Sequence, residues 1–98
     1  MPRLHIALQE GFAGEPVSIS VDGREIYHKD SVRTRTQIGL ADSVETTHDK
    51  GQATIEIHAR ETAATIMPTL DGDLFLAVSL SPDGRIVHQS STHPFRYM

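Results

Sequence analysis

Apolar and polar residues alternate with a period of two along most of this chain, and that period sets the fold class. Leu4, Ile6 and Leu8 alternate with His5, Ala7 and Gln9, the pattern of a strand with one buried face. Val17, Ile19 and Val21 alternate with Ser18 and Ser20; beyond Asp22-Gly23 the chain resumes as Arg24-Glu25-Ile26-Tyr27-His28-Lys29. An Asp-Gly pair between two alternating segments marks a β-hairpin closed by a type I′ turn. In the regular register of such a hairpin Ile19 faces Ile26, Ser18 faces Tyr27 and Val17 faces His28. Tyr27 then points outward and His28 toward the core.

The same reading extends down the chain. Val32, Thr34, Thr36 and Ile38 share one face, with Arg33, Arg35 and Gln37 on the other. Ala53, Ile55, Ile57 and Ala59 alternate with Thr54, Glu56, His58 and Arg60, and Leu74, Leu76, Val78 and Leu80 line a further strand. Ser81-Pro82-Asp83-Gly84-Arg85 has the composition of a three-residue hairpin loop with a bulge. The return strand then sets Ile86 against Leu80 and His88 against Val78. Asp30-Ser31 reads as a corner, Gly39 to Val44 as an irregular turn or one helical turn, and Thr46 to Gly51 as an exposed loop. Residues 60 to 67 carry helix formers, but their Thr and Ile content and the approach of Pro68 favour a strand.

These segments predict an all-β chain: one domain over residues 1–98, an antiparallel β-sandwich, immunoglobulin-like or jelly-roll-like, of about seven or eight short strands. The expected core is Leu4, Ile6, Leu8, Val17, Ile19, Val21, Ile26, Ile55, Ile57, Leu74, Leu76, Val78, Leu80 and Ile86.

Composition narrows the function classes. The net charge is −4 with no run of Lys or Arg, so the chain lacks the electrostatic footprint of a nucleic-acid binder. The longest apolar run, Leu74 to Val78, is far short of the roughly 20 residues that span a bilayer. No membrane contact is expected. Cysteine is absent, which removes disulfides and thiolate chemistry. Met1-Pro2-Arg3 leads directly into a strand pattern with no apolar leader, and Arg outnumbers Lys; a cytoplasmic, bacterial protein is the expectation.

Six histidines invite a metal reading, but no two are two, three or four residues apart, and no zinc spacing emerges. His28 and His88 are expected to pack near strand ends. His5 and His58 lie on outward faces and converge only if their strands are neighbours. Asp71, Asp73 and Asp83 suggest calcium, yet Asp beside Gly is ordinary turn composition. No Ser sits on a strained elbow beside a base. No catalytic residue, resident metal or cofactor is therefore expected; His5, His58, Asp71 and Asp73 are the weak metal candidates.

Two surfaces remain. Arg33, Arg35, Glu56, His58 and Arg60 project from strands as a mixed charged face, able to take an anion or an acidic partner. Phe12, Tyr27, Phe95 and Tyr97 are more apolar than loops and tails require and form the candidate interface. The expected function is a non-catalytic domain that binds a protein partner or a second copy of itself, through a sheet face or a strand edge. A carbohydrate-binding module, with or without calcium, and a histidine-based metal site or enzyme are the alternatives.

Overall fold

A computed structural model describes residues 2–34, 40–59 and 61–93. Among the described residues ten strands follow one another: β1 (Arg3–Leu8), β2 (Ala13–Val21), β3 (Arg24–Arg33), β4 (Asp42–Thr47), β5 (Gly51–Gln52), β6 (Ile55–Ala59), β7 (Thr62–Ile66), β8 (Thr69–Leu70), β9 (Leu74–Leu80) and β10 (Ile86–Ser91). There is no helix among the described residues. Two sheets have four strands each, in the orders β10-β9-β1-β4 and β3-β2-β6-β7, and β5 pairs with β8 alone. All pairs are antiparallel except β1 with β9, which run parallel.

The alternation places the core as expected. Leu4, Ile6 and Leu8 of β1, Val17, Ile19 and Val21 of β2, Ile55 and Ile57 of β6, and Leu76 and Val78 of β9 are buried in one cluster fed by both sheets. Full burial of each large aliphatic side chain contributes roughly 1.5–3 kcal/mol before the entropy cost is counted. Ile26, Leu74, Leu80 and Ile86 belong to strand ends and edges and pack against the cluster only partly buried. Val32, Ala53, Ala59 and Leu70 complete it.

The first hairpin has the turn its Asp-Gly pair predicts, with φ of 52° at Asp22 and 83° at Gly23. Its register differs. Val21 faces Arg24 and Ser20 faces Glu25, but a bulge then sets Ile19 opposite Tyr27 and Ser18 opposite His28. One extra residue, Ile26, is accommodated on β3, and everything beyond it turns over. Tyr27 therefore joins the core side, while His28, expected inward, is exposed. His88 does face Val78, yet β10 is the last strand of its sheet and the ring is exposed.

Three loop expectations are also corrected. β3 runs through Asp30 and Ser31 to Arg33 without a corner, residues 42–47 form β4, and Thr46 and Thr47 thus belong to a strand rather than a loop. β4 is held by β1, which pairs with it along its whole length. The ambiguous stretch before Pro68 is a strand, β7.

Candidate functional site

The four outer strands divide into two unlike pairs. β3 and β4 approach each other at one side of the molecule, and β7 and β10 approach each other at the other. An outer strand presents unpaired backbone N–H and C=O groups and is normally guarded by charges, bulges or proline. β3 is guarded: it carries Arg24, Glu25, Lys29, Asp30 and Arg33, and its ladder shifts register repeatedly. β4 carries Asp42 and Glu45.

The opposite pair has none of these devices. β7 reads Thr-Ala-Ala-Thr-Ile and β10 reads Ile-Val-His-Gln-Ser-Ser, with no Asp, Glu, Lys, Arg or Pro. Each follows its inner neighbour without a register shift. The two large apolar side chains most exposed among the described residues lie here as well: Val87 on β10, 53% exposed, and Met67 just after β7, 59% exposed. Among the described residues β7 and β10 thus form a regular, neutral pair of outer strands with apolar side chains in water, without the features that ordinarily guard a sheet edge.

On the guarded side the polar groups are committed to the fold. Tyr27 donates its hydroxyl to Asp42 Oδ2 at 2.9 Å, Lys29 Nζ lies 2.5 Å from the same oxygen, and Ser43 N–H donates to Asp42 Oδ1 at 2.8 Å. Burial, and then the Asp42 carboxylate, push the Tyr27 phenol above its ordinary value. Burial opposes ionisation of Asp42, but Lys29, Ser43 N–H and the Tyr27 hydroxyl together hold it below the usual carboxylate range.

A second cluster braces the first turn. Asp22 accepts Thr54 N–H at 2.9 Å and His48 Nε2 at 2.6 Å, while His48 Nδ1 lies 2.6 Å from the Asp49 carbonyl. With a carbonyl on one ring nitrogen and a carboxylate on the other, the doubly protonated ring satisfies both. The Asp49 carbonyl, then Asp22, raise the His48 pKa; Thr54 N–H, then His48, lower that of Asp22. The turn carrying Asp22 and the loop carrying His48 gave no sequence signal that they would meet, because the two lie far apart in the chain.

The remaining candidates scatter. His5 stacks on Phe75 with ring centroids 4.3 Å apart and faces Glu45 at 3.1 Å. His58 sits on β6, in the other sheet, near Glu56 at 3.7 Å, so the two histidines are not brought together. Asp73 accepts Arg3 N–H at 2.9 Å, and Asp71 is an exposed turn residue. Among the described residues no group of three or more His, Asp or Glu side chains is placed to hold a metal.

Of the charged face, Glu56 and His58 share the outer side of β6, and Arg33 ends β3 on the far side of β2; Arg35 and Arg60 lie outside the described residues. Of the apolar candidates, Phe12 is buried at 4% exposure, a core residue rather than an interface. Its N–H donates to Thr34 Oγ1 at 3.0 Å and its carbonyl accepts Thr34 N–H at 2.8 Å. Tyr27 is half-buried and spent on Asp42. Phe95 and Tyr97 lie outside the described residues. An open groove of about 700 Å³ runs past Glu10, Glu15, Glu61 and Asp83, but Glu15 directs both carboxylate oxygens to Ala13 N–H, at 2.9 and 3.1 Å. Arg85 lies 3.4 Å from Asp83.

Set against known protein families, curated proteins and solved structures, the chain matches none of them significantly. Among the described residues no helix is long and apolar enough to cross a membrane.

Proposed function

We propose that this chain is a non-catalytic β-sandwich interaction domain that accepts an extended strand of a protein partner along its β7/β10 side. The observation that carries the reading is the contrast between edges: charges on β3 and β4 and bulges along β3, neither on β7 and β10. Strand addition draws affinity from main-chain hydrogen bonds and selectivity from alternate side chains. The sandwich itself is supported by the way the chain passes repeatedly between two sheets that share one core, as in immunoglobulin-like and jelly-roll folds.

The perturbed groups favour binding over turnover. A general base or nucleophile needs a pKa brought near neutrality. Here the Tyr27 phenol is pushed up and the Asp22 and Asp42 carboxyls are pushed down, each away from that range. His48, the imidazole with a raised pKa, has both ring nitrogens engaged.

Panning a library of short peptides rich in β-branched residues against the folded chain tests the proposal. Bound peptides should shift the amide resonances of β7 or β10 and lose affinity against a chain carrying Ala63→Lys and Val87→Lys. Binders that gather instead on β3, on β4 or in the groove beside Glu10 would overturn it.

A further inference from the structure

We infer that the partner strand at β10 is a second copy of β10, paired antiparallel about a two-fold axis at His88. The inference rests on the edge-binding reading above and names its occupant.

The backbone directions along β10 can be worked out from its neighbours. Val78 C=O accepts Gln9 N–H at 2.7 Å and Leu80 N–H donates to Glu10 C=O at 2.8 Å, both toward the β1 side of β9. Main-chain groups alternate sides from residue to residue, so Phe75, Ala77 and Ser79 direct theirs at β10. Their register partners are Ser91, Gln89 and Val87. The hydrogen bond from Ser81 N–H to Arg85 C=O, 2.9 Å, continues the same series. Ile86, His88 and Ser90 are left with N–H and C=O pointing away from the sheet.

A second β10 offers the same three residues at the same spacing. With His88 opposite the partner's His88, Ile86 falls opposite the partner's Ser90, and about six main-chain hydrogen bonds can close between the strands. Val87, exposed at 53%, comes to lie opposite the partner's Gln89 and gains cover. Charge separates this side of the molecule from the β3/β4 side for self-pairing. The chain carries a net −4, and pairing through β4 would bring Asp42 and Glu45 of two copies together. β10, with no carboxylate or Lys/Arg, lets two acidic copies meet without setting like charges against each other.

The test is sedimentation of the full chain from roughly 10 μM to roughly 1 mM, a span that brackets modest dimer affinities. A monomer–dimer equilibrium is expected. His88→Pro deletes an outward N–H without touching the bonds to β9, so it should abolish the dimer and leave the β-sheet circular dichroism unaltered. Gln89→Pro breaks the β9 ladder and should lower the melting temperature. Because the chain contains no cysteine, His88→Cys provides a single reporter: hydrogen-bonded antiparallel partners lie about 5.5 Å apart at Cα, within disulfide reach. It should cross-link under mild oxidation, whereas Ser43→Cys on β4 should not.

A wild-type chain that stays monomeric across the range, or an equal cross-link from Ser43→Cys, would overturn self-pairing. Amide exchange in dilute solution separates that failure from failure of the edge reading. Rapid exchange at Ile86, His88 and Ser90 in a persistent monomer leaves the edge open to a foreign strand and overturns only the second copy. Protection of those three amides, and of the outward amides of β7, in the dilute monomer would mean both edges are already covered, and would overturn both.

Discussion

Tyr27 reaches from β3 to Asp42 at the start of β4, 2.9 Å from hydroxyl to carboxylate, and so ties one four-stranded sheet to the other. The contact exists because of the bulge at Ile26. Without the extra residue Tyr27 would take the outward position and Ile19 would face Ile26. Tyr27→Phe should therefore destabilise by about 1.5–3 kcal/mol, the range for a lost hydrogen bond to a charged group, checked by urea denaturation. Asp42→Asn should bring the phenol partway back toward its ordinary value of 10.0 in an ultraviolet titration, since burial, the larger cause, remains.

This pair also shows where sequence reading stops. Strands β1, β2, β3, β6, β7, β9 and β10, the type I′ turn and the ten most buried of the expected core positions were legible in the alternation, because burial on one face imposes a period of two; β4 and the two-residue β5 and β8, which carry no such alternation, were not. A bulge leaves no such mark, since Ile26 and Tyr27 are both apolar enough to face inward and only the packing chooses between registers. Phe12 was misread for a related reason. A Gly-flanked aromatic looks loop-like by composition, and nothing local reports that Thr34 folds back over it. The uncharged edge could be read from β7 and β10 only once their places at the ends of their sheets were known; in the sequence, a neutral strand looks the same at the centre as at the rim.

Thr34 holds the Phe12 loop by its hydroxyl, which accepts Phe12 N–H at 3.0 Å and donates to Gln9 C=O at 2.6 Å. Thr34→Val keeps the shape and removes both bonds. A loss of about 1–3 kcal/mol is expected from leaving a half-buried backbone donor without this partner. Thr34→Ser, which keeps the hydroxyl, should recover most of it in the same denaturation assay.

Gly11 is fixed by space as well as by φ. Its φ is 89°, and a Cβ there would come 1.9 Å from the Leu80 carbonyl oxygen, a backbone atom that cannot swing aside. Gly23 has a similar φ of 83° with open space around it. Gly23→Ala should thus cost roughly 1–2 kcal/mol from conformation alone. Gly11→Ala should cost clearly more, because β9 must move as well. Equal melting temperatures for the two variants would contradict the close approach of Gly11 to β9.

The Asp22–His48 contact predicts a bounded pH window for part of the stability. The His48 pKa is raised above its ordinary 6.5 in the folded chain, so its contribution is fully present below 6.5 and disappears as pH rises through the folded value. Asp22 is lowered below its ordinary 3.8, so its contribution is present above 3.8 and is lost as pH falls through the folded value. Both contributions are in place in full only between those limits. His48→Gln should therefore lower the melting temperature most between pH 4 and pH 6.5. The gap between variant and wild type should narrow in acid, where Asp22 takes up a proton, and again toward alkaline pH, where His48 loses one. Asp42 is lowered too, but it is present in both chains and cancels in their difference. A gap that stays constant across the whole titration would show that His48 contributes by packing rather than by charge.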